Sequence, residues 1–434
     1  MEVVQEYMQG LYASDLYPDH YICHGKQGNQ VEIEEPRSGR RYPVLTFCTN
    51  DILGLVQSES VQQAAIDSIV QYGTSNSSCP TLSGRIDLHR QLEQEISEFK
   101  KLPHTHLFVN AWMAIQALMD GFCHFAAPIP GFQNNRRTLI FTDVLNHGCI
   151  VSAVVNADTR SGKVFGNAAG VQVKPYRHCD VNDLARKLKR YARPDDRILL
   201  VSDAVFSMDG DIVPLPDVIQ ALEPYPGSVI VMDEAHASGA LGATGGGIYE
   251  HFNITPQDVL DRGLVPIIMT TFSKFAASAG AALSSHSREF IDLMDVCPTS
   301  IGTISLAPPL TAAALASIRQ LRHEPQRVQA LQANARYLRQ RLVQEGFEAV
   351  GETNVIPVLL PPELNPKEFG RHMMDEFGIW ISPIWFVAKP RLRIVANALH
   401  TKEEMDRLVD AMVATRDALY PADTAPMSPE MVPA

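Results

Sequence analysis

Short apolar runs alternate with amphipathic stretches through the central part of the chain. The runs have the length and composition of buried strands, and they stand at 106–109, 138–141, 171–173, 198–201, 229–232 and 267–269. The stretches between them carry apolar residues at the spacing of one helix face. This alternation predicts an α/β fold, in which a largely parallel sheet is covered by helices on both faces.

Polar residues follow these predicted strands directly. Asp143, Ser202, Asp203, Asp233 and Thr271 each stand just beyond an apolar run. In parallel sheets, ligands bind beyond the carboxyl ends of the strands. We therefore expect these five side chains to converge on one crevice.

The two ends of the chain follow other patterns. Near the N-terminus, the alternating residues 31–34 and the turn residues 36–39 predict a hairpin. Near the C-terminus, long amphipathic helices accompany short predicted strands at 355–359 and 391–395, and a capping box at 401–404 begins another helix. These elements predict a second, smaller α+β domain.

The changes of pattern divide the chain into four predicted segments. They are an N-terminal arm that packs on another surface (1–55), a large domain that holds the crevice (56–305), a small C-terminal domain (306–420) and a flexible tail (421–434). The tail is rich in proline and small residues, so we expect it to have no fixed structure.

Composition narrows the class of protein. The chain has 434 residues, of which 45% are hydrophobic and 20% charged, as in ordinary globular proteins. Its net charge of -12 argues against non-specific nucleic-acid binding. No apolar run has the length of a membrane span, and the acidic N-terminus is unlike a signal peptide. Seven scattered cysteines without a Cys-x-x-Cys pair indicate neither a disulfide framework nor a metal site, so we expect a cytoplasmic protein.

A lone lysine follows the last of the apolar runs. Lys274 stands after the hydroxyl residues Thr270, Thr271 and Ser273 and before a series of small residues. In a pocket with little water, a lysine loses its charge and its amine becomes a nucleophile toward carbonyl groups. A surface lysine on a loop explains this segment equally well when it is considered alone.

Two further motifs stand at predicted strand ends. The first, 233–242, begins with an aspartate at a buried position, where it needs a structural salt-bridge partner or a cationic ligand. The second, 202–211, places two hydroxyls and three carboxylates after a strand. That pattern fits a ligand site, a simple turn or a metal-binding loop.

Five motifs in this order and spacing resemble the α-oxoamine synthase family. They are 50–55 (Asn-Asp-Ile-Leu-Gly-Leu), 206–211 (Phe-Ser-Met-Asp-Gly-Asp), 233–236 (Asp-Glu-Ala-His), 271–274 (Thr-Phe-Ser-Lys) and 391–394 (Arg-Leu-Arg-Ile). The family includes amino-oxononanoate synthase, 2-amino-3-ketobutyrate ligase and serine palmitoyltransferase. The resemblance extends from about residue 45 to about residue 415 and implies aminotransferase fold type I, with a mostly parallel seven-stranded sheet in the large domain.

The resemblance implies a pyridoxal 5'-phosphate cofactor and assigns residues to its ring. Lys274 matches the lysine that holds the cofactor covalently and moves the α-proton of the substrate. Asp233 matches the carboxylate that keeps the ring nitrogen protonated. His236 and Ser207 match residues near the ring hydroxyl, and His147 matches the histidine that stacks on the ring.

Other residues match those that bind the cofactor phosphate in the family. Thr271 corresponds to a phosphate ligand, and Ala111, Trp112 and Met113 begin a helix whose N-terminus suits an anion. Ser305 corresponds to a residue that reaches the phosphate of a neighbouring subunit. The resemblance thus implies a homodimer.

The implied substrates are a small amino acid and an acyl thioester. Arg393 matches the arginine that binds the amino-acid carboxylate through its bidentate fork, and Asn50 assists it. The thioester is polarised by His147 or His236. The acyl group arrives on coenzyme A or on an acyl carrier protein.

The resemblance therefore implies a pyridoxal-phosphate-dependent acyltransferase of biosynthesis that carries out a decarboxylative condensation and yields an α-aminoketone. Two alternatives remain, namely another reaction on the same fold, such as transamination or aldol cleavage, and a non-catalytic partner subunit. The chain departs from the family pattern at 111–112, at 245–247, where an arginine is missing, and at 276–277. These departures leave open whether glycine, alanine or serine is used, and which acyl chain.

Overall fold

The computed structural model describes residues 1–15, 17–36, 38–123, 136–160, 170–385 and 388–420. The strands in these ranges are β1 (Ile22–His24), β2 (Gln30–Glu34), β3 (Arg41–Thr46), β4 (His104–Phe108), β5 (Thr138–Asp143), β6 (Val171–Tyr176), β7 (Arg197–Asp203), β8 (Val229–Asp233), β9 (Val265–Thr271), β10 (Ala281–Ser285), β11 (Glu348–Ala349), β12 (Val355–Leu359), β13 (Ile379–Trp380), β14 (Ser382–Ile384) and β15 (Arg391–Val395). The tail predicted at 421–434 lies outside the described residues.

The α-helices in the same ranges account for most of the remaining chain. They are α1 (Glu2–Ala13), α2 (Glu59–Tyr72), α3 (Asp87–Lys100), α4 (Ala111–Cys123), α5 (Gly148–Arg160), α6 (Val181–Tyr191), α7 (Leu215–Leu222), α8 (Ile248–His251), α9 (Pro256–Asp261), α10 (Phe272–Phe275), α11 (Arg288–Val296), α12 (Pro298–Ile301), α13 (Pro308–His323), α14 (Gln326–Gln344), α15 (Pro366–Phe377) and α16 (Lys402–Leu419). A π-helical turn covers Pro80–Gly84. Among the described residues, none of the helices combines the length and apolarity needed to cross a bilayer.

Packing divides the chain into two compact units. The large unit is Asn50–Ala333, and the small unit combines Met1–Thr49 with the chain from Asn334 onward. These limits differ from the predicted limits at 55 and 305, because α13 packs on α2 and α3 within the large unit. The four-segment division stays a prediction.

The large unit is built on one sheet. Its seven strands have the order β4-β10-β9-β8-β7-β5-β6. The strands from β9 to β6 are parallel to one another, and β10 runs antiparallel to both of its neighbours. The predicted mostly parallel seven-stranded sheet is therefore confirmed, and fold type I with it.

Successive residues of the central strands enter opposite faces of this sheet. In β7, Leu200 belongs to the apolar cluster beneath α6 and α7, whereas Val201 belongs to the cluster beneath α4 and α5. Because both faces are covered, the strands are apolar throughout and do not alternate with polar residues. Beyond the carboxyl end of each strand, the same alternation decides on which face a polar side chain emerges.

The small unit contains two four-stranded sheets. One has the order β1-β2-β3-β13 and the other β11-β12-β15-β14. The predicted hairpin is confirmed, since β2 and β3 pair antiparallel. Strand β13 pairs in parallel with β3, and Phe47 joins a core with residues of α15 and α16. The N-terminal strands are thus an integral part of the small unit, although the sequence predicted an arm.

Capping signals in the sequence correspond to hydrogen bonds in the structure. The Asp180 side chain accepts from the Asp183 N–H at 2.8 Å at the start of α6. The Thr401 hydroxyl accepts from the Glu404 N–H at 3.2 Å, and the Glu404 carboxylate accepts from the Thr401 N–H at 3.0 Å. The capping box predicted at 401–404 is therefore confirmed.

Candidate active site

A cavity of about 290 Å³ lies in the large unit at the carboxyl ends of β7, β8 and β9. Its wall combines strand ends, two helix starts and the turn after β9. The lining residues are Val109, Asn110, Ala111, Trp112, His147, Cys149, Asp203, Ser207, Asp233, Ala235, His236, Thr271, Ser273, Lys274, Ala279 and Gly280. Most of the residues proposed from the sequence for cofactor binding are therefore together in one place.

Successive residues of a strand point to opposite faces of the sheet, and this alternation decides which strand-end residues reach the cavity. Asp203, Asp233 and Thr271 line it, and each continues the series of residues that face α4 and α5. Asp143 and Ser202 continue the opposite series, which faces α6 and α7. The expectation that all five converge was wrong for these two residues, because neighbouring residues of a strand point to opposite faces.

Lys274 occupies a one-turn helix that follows β9 directly. Its neighbours Phe272 and Phe275 are fully buried, and the Phe272 N–H donates to the Gly280 carbonyl at 2.9 Å. These contacts hold the turn, while the half-buried Lys274 side chain lines the cavity. This position favours the reactive amine over a surface lysine on a loop.

Two buried aspartates face Lys274 across the strand ends. Asp203 and Asp233 are register partners on adjacent strands. Burial raises the pKa of Asp233 to about 6, although the Ala235 N–H and Lys274 act in the opposite direction. Burial and the proximity of Asp233 raise the pKa of Asp203 well above its usual range. Burial thus disfavours the charged form of both acids.

His147 is oriented by contacts on both sides. Its backbone N–H donates to Asp203 Oδ2 at 2.8 Å, and the Cys149 N–H donates to its Nδ1 at 3.2 Å. Burial, followed by the charge of Lys274, lowers the pKa of His147. Because Nδ1 accepts a hydrogen bond, the neutral ring carries its proton on Nε2, which makes Nε2 a donor.

The Trp112 ring lies beside the His147 ring. The two centroids are 6.5 Å apart in an edge-on arrangement, and Trp112 is half exposed. Trp112 and Ala111 line the cavity at the first turn of α4. Met113 does not line the cavity, and its N–H donates to Asn110 Oδ1 at 2.9 Å. The start of α4 thus offers the cavity its first two residues.

Hydroxyl groups also line this cavity. Thr271 Oγ1 lies 3.2 Å from Ser273 Oγ and donates to the Gly280 carbonyl at 3.2 Å. Backbone N–H groups at a helix start together with hydroxyls form a common setting for phosphate. Ser207 and His236 line the cavity from the turns that follow β7 and β8.

Besides Met113, three of the proposed site residues lie outside this cavity. Ser305 is buried, and both its N–H and its hydroxyl donate to the Ser78 carbonyl, at 3.0 and 3.3 Å. Asn50 is exposed at the start of the large unit. Arg393 belongs to the small unit, where burial lowers its pKa and Ser382 is its register partner.

Some lining residues had no role in the sequence interpretation. Asp203 was expected in the crevice without a function, and Cys149 and Ser273 were not singled out. Cys149 could have been identified from the sequence because it stands two residues after His147. In the structure, its Sγ lies 3.0 Å from His147 Nδ1. Ser273 directly precedes Lys274 and shares its turn.

The donor set of the cavity fits pyridoxal phosphate. A buried carboxylate pair with one lysine as its counter-charge suits a protonated ring nitrogen, which would stabilise the ionised form of Asp233. The lysine amine suits a covalent bond to an aldehyde. The start of α4 and Thr271 suit a phosphate group.

Comparison with known proteins agrees with the fold. The family description "Aminotransferase class I and II" matches residues 42–412, so the chain belongs to this pyridoxal-phosphate-dependent family. Within it, the chain is an α-oxoamine synthase, a class of acyltransferases. It is 30% identical over 416 residues to 8-amino-7-oxononanoate synthase of Fervidobacterium nodosum, which covers 94% of this chain and 96% of that protein.

Two further relatives carry the name serine palmitoyltransferase. The protein of Bacteroides ovatus is 31% identical over 416 residues, which is 95% of this chain and 96% of that protein. The solved structure of the Sphingomonas wittichii protein superposes with a TM-score of 0.81, 21% identity and coverage of 96% of this chain and 97% of that chain. The structural likeness agrees with the fold.

Proposed function

We propose that the chain binds pyridoxal phosphate through Lys274 and condenses a small amino acid with an acyl thioester, with loss of carbon dioxide. The observation that carries this proposal is that Lys274, Asp203 and Asp233 line one cavity at the strand ends and interact electrostatically. The family membership fixes the reaction class. The buried acids and the lysine supply the groups that this chemistry needs.

When bound, the cofactor delocalises the negative charge that develops at the α-carbon of the amino acid. Asp233 holds the proton on the ring nitrogen, because its carboxylate is buried and needs a cationic partner. Asp203 supports His147 through the backbone N–H. Lys274, in the wall of the same cavity, removes the α-proton and returns a proton later as general base and acid.

The carbon–carbon bond then forms between the α-carbon and the thioester carbonyl. The carbonyl carbon loses the thiol, the carboxylate leaves as carbon dioxide, and a proton takes its place, which gives an α-aminoketone. His147 donates from Nε2 to the thioester oxygen, since its Nδ1 is engaged by the Cys149 N–H. His236 is a second donor in the cavity wall.

Arg393 binds the carboxylate of the amino acid, and Asn50 assists it. A guanidinium fork binds a carboxylate through two parallel hydrogen bonds and so orients the bond that is broken. The charge of Arg393 is desolvated on β15, where a carboxylate partner gains most. Glycine, alanine and serine are the amino acids that the proposal includes.

The active form in this proposal is a cytoplasmic homodimer. Large apolar side chains are exposed next to the cavity, among them Val144, Leu145, Val151 and Val155, as expected for a surface that a second subunit covers. Ser305 would reach the phosphate of the neighbouring subunit. All seven cysteines lie among the described residues and are free, in keeping with a reducing compartment.

The test begins with the purified protein and the variant Lys274→Ala. The wild type should absorb visible light after reconstitution with pyridoxal phosphate, and Lys274→Ala should lose this band, whereas Lys101→Ala, an exposed lysine, should keep it. Glycine, alanine and serine are then supplied with acyl-coenzyme A or an acyl carrier protein, and release of thiol and carbon dioxide is measured.

The outcomes separate the alternatives. Release of thiol and carbon dioxide in equal amounts supports the condensation. Turnover of an amino acid without a thioester would indicate transamination or aldol cleavage instead. A reconstituted wild type without a visible band would contradict cofactor binding and leave the role of a non-catalytic partner subunit.

A further inference from the structure

The turn at 206–211 contains a carboxylate that does not line the cavity. Asp211 Oδ2 lies 3.1 Å from His178 Nε2. On its other side, His178 Nδ1 lies 3.0 Å from Asp143 Oδ1. The imidazole ring of His178 is therefore held between two carboxylates that come from different strand ends.

Asp143 connects this ring to the turn that carries His147. The Asp143 side chain is fully buried. It accepts from the Leu145 N–H at 2.9 Å and from the Cys179 N–H at 2.8 Å. The Asn146 N–H donates to the Asp143 carbonyl at 3.3 Å. Asp143 thus shapes the residues that immediately precede His147.

Asp211 connects the ring to the turn that carries Ser207. The Phe206 N–H donates to the Asp211 carbonyl at 3.0 Å, and the Gly210 N–H donates to the Phe206 carbonyl at 2.8 Å. The Phe206 ring packs edge-on against the His178 ring, with centroids 4.4 Å apart. Both ends of the turn are consequently in contact with His178.

The two carboxylates favour the protonated form of the His178 ring. Burial lowers the pKa of His178, but hydrogen bonds with Asp143 and Asp211 outweigh it and raise the pKa to about 12. Asp143, His178 and Cys179 also offer three ligand atoms within 4.8 Å of one another. Since both ring nitrogens already face carboxylates, two protons account for this cluster without a metal ion.

We propose that His178 is a positioning residue of the active site, which joins Asp143 to Asp211 and so fixes the turns that present His147 and Ser207 to the cofactor. The inference rests on the proposed function, because that function gives His147 and Ser207 their roles. His178 itself does not line the cavity. Its effect is exerted through the spacing of the two turns.

Two variants remove one or both contacts. His178→Phe keeps an aromatic ring against Phe206 and loses both hydrogen bonds. Asp211→Asn removes the carboxylate at the partly exposed end, where the side chain is 37% exposed, so the fold should tolerate it. Asp211→Glu keeps the carboxylate and should retain near-normal behaviour. Asp217→Asn replaces an exposed carboxylate on α7 and serves as the matched control.

The dissociation constant of pyridoxal phosphate is measured on the apoprotein of each variant, together with thermal unfolding of the same apoprotein. We expect His178→Phe and Asp211→Asn to weaken cofactor binding about tenfold or more, as misplaced site groups do. The pH at which the visible band changes should also shift in both. Asp211→Asn should show both effects although its apoprotein unfolds at nearly the same temperature as the Asp217→Asn apoprotein.

Failure of this inference differs from failure of the proposed function. A wild type that binds no pyridoxal phosphate contradicts the proposed function. A wild type that binds it, with His178→Phe and Asp211→Asn equal to wild type in affinity and spectrum, overturns the positioning role. Stoichiometric binding of Zn²⁺ to the wild type that His178→Phe abolishes would also overturn it, in favour of a metal site.

Discussion

Lys100 Nζ donates to Glu234 Oε2 at 2.5 Å, and neither side chain is exposed. The same ammonium group donates to Ser238 Oγ at 2.6 Å and to the Gly246 carbonyl at 3.0 Å. Glu234 directly follows Asp233, so this ion pair anchors the turn that carries the cavity residues Asp233 and His236. The family pattern has an arginine within 245–247, which this chain lacks. Lys100, the last residue of α3, places a cation at this segment, since it donates to the Gly246 carbonyl.

The first prediction concerns Lys100→Met. The substitution leaves the Glu234 carboxylate buried without its cation, which costs about 3–5 kcal/mol in the free energy of unfolding. Denaturant unfolding of the apoprotein measures this loss. Lys101→Met is the matched control, since Lys101 is exposed and is the next residue. An equal effect of both substitutions would show that the Glu234 ion pair does not stabilise the fold.

The second prediction concerns Gly247→Ala. Gly247 has φ +106°, and a Cβ atom there would lie 2.1 Å from Glu234 Oε2. Gly227→Ala is the control, because Gly227 has φ +80° with no atom within 4 Å of its added Cβ. Backbone strain costs about 1–2 kcal/mol for alanine in the left-handed region. Gly247 has φ 106° and ψ -155°, a region essentially restricted to glycine, so strain and the close carboxylate together should make Gly247→Ala lower the free energy of unfolding by clearly more than Gly227→Ala. Similar losses would mean that the carboxylate moves aside freely.

The third prediction concerns the pH dependence of apoprotein stability. The pKa of Asp233 is raised from 3.8 to about 6 in the folded chain. Between these values the folded chain binds more protons at Asp233 than the unfolded chain, so its contribution to stability falls as the pH rises. Asp233→Asn should remove this fall, and the difference between the two stability curves should grow from pH 4 to pH 6. A constant difference across that window would contradict the shift.

Asp233→Asn should also separate stability from catalysis. The variant loses the ionised partner of the ring nitrogen, so kcat should fall by about 10²–10³-fold, as on removal of other preorganised electrostatic groups. The apoprotein should be at least as stable as wild type at neutral pH. Steady-state kinetics under saturating cofactor provide the measurement.

Much of the large unit could be predicted from the sequence, because each apolar run is short, continuous and followed by a polar residue. The crevice positions of Asp233 and Thr271 followed from the strand ends alone, whereas Lys274 was favoured only when the other motifs were considered with it. Asp143 was misplaced because the prediction used the ends of the strands and ignored their parity, which the sequence also contains. Counting in steps of two along each strand, Asp143 lies on the same face of the sheet as Phe141, and Asp203 lies on the same face as Val201.

Other features depend on pairs that are distant in the chain. Lys100 and Glu234 are 134 residues apart, and no local pattern links a lysine at the end of α3 to a turn after β8. Likewise, β3 pairs with β13 across more than 300 residues, so the N-terminal strands resembled a separate arm. His178 stands in a turn before α6, and only the fold brings it between Asp143 and Asp211.

The last prediction concerns Trp112, which stands at one of the positions where the chain departs from the family pattern. Its ring is half exposed and stands at the wall of the cavity beside His147. Trp112→Phe should therefore have little effect on the free energy of unfolding and on cofactor affinity. Trp112 lies beside His147, which we propose to donate a hydrogen bond to the thioester oxygen. The variant should therefore change the KM for acyl thioesters of different chain length more than it changes kcat. Kinetics with a series of acyl-coenzyme A chain lengths test this. An unchanged chain-length profile in Trp112→Phe would exclude Trp112 as a determinant of acyl specificity.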